Sequence, residues 1–91
     1  DAGNEIVYEI EIKRVENKRL ENKILKMKIE EKVLRELIEK VQTERFKENK
    51  ISALVYGMRM KKYEERLQEI REELPVLRKR FYFLFGRFQF I

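Results

Sequence analysis

The chain of 91 residues has no cysteine, histidine or tryptophan, one proline (Pro75), one aspartate (Asp1) and three scattered glycines. Each shortage excludes something. Without cysteine there are neither disulfides nor thiolate ligands, and without histidine the usual zinc sites lose their imidazole donor. Thr43 and Ser52 are the only alkyl hydroxyls, and no imidazole exists to act as their base, so a nucleophile–base pair lacks its parts. Gly3, Gly57 and Gly86 are too dispersed to form a phosphate-cradling loop. No run approaches the ~18–20 continuous apolar residues of a membrane span, and the amino end carries no signal-peptide pattern. The expectation is a non-enzymatic chain with no cofactor, metal or small-molecule substrate, in keeping with a cytoplasmic location. Adjacent glutamates such as Glu30 and Glu31, Glu64 and Glu65, or Glu72 and Glu73 read as solvated salt-bridge partners rather than acid–base pairs.

What the chain does have is charge. Asp, Glu, Lys and Arg make up 43% of it, while Gly and Pro together number four, which is the composition of long helices. Its length allows one small domain, standing alone or within a longer chain, with a correspondingly small core. A Lys/Glu/Arg-rich, cysteine-free composition is also compatible with a thermophilic source.

Periodicity divides the chain. In residues 5–13 Ile6, Tyr8, Ile10 and Ile12 alternate with Glu5, Glu9, Glu11 and Lys13, the period of a half-buried strand. A helical reading survives because Ile6 and Ile10 lie four apart, although Lys13 and Asn17 then interrupt the apolar face. Residues 15–46 read as a first helix. Leu20, Ile24, Met27, Glu31, Leu34, Ile38 and Val41 follow a 4-3 rhythm, the seam of a coiled coil, and Val33 and Leu37 widen the stripe. Glu31 with Arg35 and Glu36 with Lys40 form favourable i,i+4 pairs. Residues 47–52 read as a turn, with Asn49 as a left-handed helix end and Ser52 as the next N-cap. A second helix is expected over 53–74, with Tyr56, Met60, Tyr63, Leu67, Ile70, Leu74 and Leu77 as its seam. Pro75 ends or kinks it near Leu74, because proline lacks a donor and clashes with the preceding turn.

Two seams of matching span joined by a polar turn predict an antiparallel helical hairpin. Aligning Val41 with Tyr56 places Met27 beside Ile70, Leu34 beside Tyr63, Leu20 beside Leu77 and Glu31 opposite Arg66. With the terminal segments extended, the fold class is mainly α, a two-helix coiled-coil hairpin with short terminal β-strands (strand–helix–helix–strand).

The last segment, 80–91, is dense in aromatics. As a strand, Phe81, Phe83 and Phe85 would share one face and Tyr82, Leu84, Phe88 and Phe90 the other. Both faces then need cover. Leaving five phenylalanines exposed forfeits on the order of 10 kcal/mol of burial, and the chain holds apolar residues enough for only one face. These seven residues are therefore candidate self-association contacts, and a homo-oligomer, most simply a dimer, is expected.

The net charge of +5 is unevenly placed. Residues 75–91 carry Arg78, Lys79, Arg80 and Arg87 and no acid, and residues 13–28 hold seven basic groups against Glu16 and Glu21. In the hairpin both stretches meet at the open end, forming a basic pole. Arg14, Lys18, Arg19, Lys23, Arg78, Lys79, Arg80 and Arg87 are thus candidate contacts for nucleic acid or, less favoured, an anionic membrane surface. The competing role for the carboxyl-terminal charges is to keep an aggregation-prone segment apart from its copies. An interaction or assembly protein is the favoured reading, and nucleic-acid binding the alternative.

Overall fold

The computed structural model describes the backbone of residues 2–89 and side-chain surroundings over residues 3–82. Two helices account for nearly all of it: α1 spans Ala2–Phe46 and α2 spans Ala53–Gln89. They pack side by side in a slender body of 69 × 19 × 15 Å. Cross-helix pairs run in opposite order along the two sequences, with Lys23 meeting Glu73, Glu30 meeting Arg66 and Glu44 meeting Arg59. The hairpin is therefore antiparallel.

Between the helices, residues 47–52 reverse the chain with few atoms. The N–H groups of Lys47 and Glu48 both donate to the Thr43 carbonyl at 3.0 Å, and that of Lys50 donates to the Glu44 carbonyl at 2.8 Å. These bonds satisfy carbonyls that the helix end would otherwise leave open. Asn49 takes the left-handed conformation, φ 52°, which its short polar side chain tolerates better than most. The Val55 N–H donates to the Ser52 hydroxyl oxygen at 3.2 Å, a helix N-cap. Arg45 reaches across to donate to the Ile51 carbonyl at 3.1 Å, and Phe46 meets Tyr56 edge to face at 5.2 Å. Both cap assignments made from the sequence hold.

The core is a single seam. Ile24, Met27, Leu34 and Val41 of α1 are buried, as are Leu67, Ile70, Leu74 and Leu77 of α2. Every position of the two expected 4-3 seams is buried or half-buried, Glu31 included. Leu20, Ile38, Tyr63 and Phe81 pack against the central cluster. Leu37 is half-buried, whereas Val33 is exposed, so the stripe on α1 is narrower than its sequence suggests.

Three expectations need correction. Residues 5–13 are helical, not a strand, and lie within α1. The 4-3 rhythm in fact continues backwards from Leu20 through Asn17, Lys13, Ile10 and Ile6, and Lys13 and Asn17 are half-buried. Extending an existing helix adds a backbone bond per residue without a new nucleus, whereas a strand would need a ladder partner. The tail expected as a strand from residue 80 is also helical through Gln89, and Phe90 and Ile91 lie outside the described residues. Finally, α2 does not end at Leu74 but passes through Pro75. Pro75 is exposed, while Leu74 and Leu77 on either side are buried in the seam. Burial of these neighbours holds the segment helical, and the Arg71 carbonyl that loses its donor belongs to an exposed residue that water can reach.

Two predictions follow from this packing. Leu34→Ala should lower the unfolding free energy by roughly 2–5 kcal/mol, read from chemical denaturation, and a change within error would mean that the seam does not carry stability. Pro75→Ala should raise stability, by up to ~3 kcal/mol; a loss instead would show that proline terminates the helix in solution.

Candidate interaction surface at the open end

The register brings the two basic stretches together as the sequence implies. Glu21, Ile24, Leu25 and Lys28 of α1 and Arg78, Phe81 and Tyr82 of α2 line a crevice of about 270 Å³ between the helices. Its floor is apolar: Ile24 is buried, Phe81 is half-buried and packs on the core, and Tyr82 meets the Phe81 ring edge at 6.0 Å. Lys28 and Arg78 flank it with positive charge, opposed by Glu21. The arrangement can hold an apolar group bearing an acidic end.

The remaining cationic candidates do not converge. Arg78, Lys79 and Arg80 are all exposed, but successive helical residues are rotated by ~100°, so the three fan around α2. Only Arg78 borders the crevice. On α1, Arg14, Lys18, Arg19 and Lys23 are exposed, and Lys23 is engaged with Glu73 at 3.2 Å. The Arg87 side chain lies outside the described surroundings, as do those of Phe83, Leu84, Phe85, Phe88 and Phe90. Of the aromatic candidates that are described, Phe81 serves the core and Tyr82 is 67% exposed.

Cross-helix ion pairs fix the register beside this end. Arg66 donates through two nitrogens to the Glu30 carboxylate, one bond being Nη2 to Oε2 at 3.1 Å, and through Nη1 to Glu69 at 2.9 Å. The sequence pairs Arg66 with Glu31 instead. Glu31 bonds Arg35 within α1 at 2.7 Å, as its i,i+4 spacing implies, which leaves Arg66 to the neighbouring carboxylate. Hydrogen bonding from Arg66 holds the Glu30 carboxyl below its ordinary value, against a smaller opposing effect of desolvation. The reciprocal bonds raise the Arg66 guanidinium.

No group of side chains suited to holding a metal ion occurs among the described residues, and none of the described helices is long and apolar enough to cross a membrane. Comparison with known protein families, curated proteins and solved structures finds no match to this chain.

The larger unassigned feature is apolar exposure. Tyr8, Ile12, Val15, Leu25, Ile29 and Val33 of α1 and Leu54, Met58, Val76 and Tyr82 of α2 are all exposed. Of those on the first helix, the sequence marks Val33 as widening the stripe and Tyr8 and Ile12 as a strand face, whereas Val15, Leu25 and Ile29 belong to none of the expected seams. The signal was present in their spacing, but the alternation at Tyr8 and Ile12 suggested a strand.

The Glu30–Arg66 bridge gives a pH-dependent prediction. A depressed folded-state value means the unfolded chain binds protons more readily. The bridge therefore contributes fully above the ordinary carboxyl value of 4.5 and fades as pH falls through the folded value. Glu30→Gln should cost at most ~1 kcal/mol near neutrality, because both partners are partly solvated. That difference should shrink in melts at low pH, as the wild-type carboxylate takes up its proton on passing through the folded value. An equal deficit at both pH values would mean that the side chain acts through packing and not charge.

Proposed function

We propose that this chain is a non-enzymatic interaction and assembly protein, a coiled-coil hairpin that associates with its own copies, with the aromatic carboxyl-terminal segment taking part. The observation that carries this reading is the imbalance of apolar surface. Eight hydrophobic residues are buried along the seam, while fourteen large ones are exposed among the described residues. Scattered exposed leucines are ordinary, but continuous apolar patches on a small protein mark interaction surfaces.

The tail adds to this. Phe81, Tyr82, Phe83, Leu84 and Phe85 are consecutive, an apolar run that is costly to leave in water. Arg78, Lys79, Arg80 and Arg87 around this segment favour a finite assembly, since like charges oppose open-ended stacking. A closed twofold dimer is the simplest such state. The fanned arrangement of Arg78, Lys79 and Arg80 gives no continuous track for a phosphate backbone, which makes nucleic-acid binding the weaker reading.

Light scattering on the intact chain at micromolar concentration should give twice the chain mass of 11.3 kDa. Replacing Phe83 and Phe85 with Ser should weaken association while sparing most helix content by circular dichroism. A mass of 11.3 kDa for the intact chain would remove the proposal.

A further inference from the structure

Resting on the self-association reading above, we infer that α1 carries a second coiled-coil seam, on a face turned away from α2, and that its occupant is the same face of a second copy running antiparallel. Tyr8, Ile12, Val15, Ile29 and Val33 are 66%, 41%, 51%, 56% and 45% exposed. With Arg19, Asn22 and Lys26, also exposed, they complete an unbroken 4-3-4-3-4-3-4 spacing from Tyr8 to Val33. That spacing keeps one stripe of a helix facing a partner. Each stripe residue stands two positions beyond a residue of the buried 4-3 seam, which at 3.6 residues per turn places the stripe ~160° around α1 from that seam, so α2 cannot reach it.

The series is symmetric about its own midpoint. Antiparallel pairing with a copy sets Tyr8 against Val33, Ile12 against Ile29, Val15 against Lys26 and Arg19 against Asn22. Apolar residues then meet apolar residues at both ends, Val15 is covered by the aliphatic stem of Lys26, and the Asn22 amide oxygen is an acceptor for Arg19. One self-complementary patch pairs with itself and assembly closes at two. Parallel, in-register pairing would instead stack Arg19 on Arg19 and Lys26 on Lys26, setting like charges together. One flank agrees with the antiparallel choice, since Glu11 falls near Lys32 of the other copy, both being exposed; on the other flank Glu16 falls near Lys23, which also pairs with Glu73, and Glu9 falls near Glu30. Such opposite-charge pairs beside a seam set partner orientation.

The size is also adequate. At ordinary residue areas the five apolar side chains expose on the order of 500 Å² per copy, and Arg19, Asn22 and Lys26 bring the pair into the ~1,200–2,000 Å² range of stable specific interfaces. The seam midpoint, between Arg19 and Asn22, lies beside the α2 segment that follows Glu73, because Lys23 pairs with Glu73. The aromatic tail begins at the same end of the hairpin, on α2 and so on the far side of α1 from this seam.

The test uses full-length chain. Ile12→Glu with Ile29→Glu should halve the mass by light scattering, from twice 11.3 kDa to 11.3 kDa, with helix content unchanged because both sites are exposed. A dimer that persists in this variant overturns the seam. If the same dimer is lost on replacing Phe83 and Phe85 with Ser, the tail reading stands without it. An intact wild-type chain of monomer mass overturns both. Orientation is read independently by cross-linking, since the chain has no cysteine of its own. Ile12→Cys chains mixed with Ile29→Cys chains should form mixed disulfide dimers in preference to like-with-like ones. Predominant cross-linking of Ile12→Cys to itself, or none in the mixture, contradicts the antiparallel pairing.

Discussion

An α-helix packed against a single neighbour buries one strip of its surface and leaves the remainder to water. This limit governs the whole molecule. Among the described residues the hairpin has one seam, Ile70 is its one fully buried large side chain, and no third layer closes over either helix. Stability must come from the 4-3 packing along that seam, and anything apolar away from it is left for another surface. The turn matters because it sets the seam: Asn49 in the left-handed conformation, the Ser52 cap and the Arg45–Ile51 bond bring α2 back alongside α1 in the register that seals Leu34 and Ile70.

Much of this was legible in the sequence. The two seams, the helix boundaries at Phe46 and Ala53, both caps and the Glu31–Arg35 pair can be read from residue spacing and from the distinct chemistry of Asn and Ser. What escaped has physical causes. Residues 5–13 satisfy a period of two and a period of 3.5 at once, and only continuity with the helix that follows decides between them. Pro75 is a strong local signal, yet the burial of Leu74 and Leu77 outweighs it. Arg66 is within reach of two adjacent glutamates, and their competition depends on Arg35, one turn further along α1. The surface was the least legible part. Tyr8 and Ile12 look like part of a strand face when read alone, and become a helical stripe only when Val15, Ile29 and Val33 are seen on the same side.

Charge refines this picture without creating it. The excess of +5 collects where the termini lie, but helical geometry disperses Arg78, Lys79 and Arg80 instead of concentrating them. Ion pairs across the seam are partly solvated and contribute modestly. Their effect is on register, since Glu30–Arg66 and Lys23–Glu73 hold the same alignment at two points along the shaft. An apolar surplus with interspersed charge is the basis of the proposed pairing with a second copy.

All of this depends on the chain folding back on itself at residues 47–52. Spin labels at the exposed positions Lys26 and Arg71, with labelled chain diluted in excess unlabelled chain, measure this within one molecule. Helices packed 8–10 Å apart predict a label separation on the order of 20 Å. A continuous rod through the turn would place them ~68 Å apart, and that distance would exclude the hairpin.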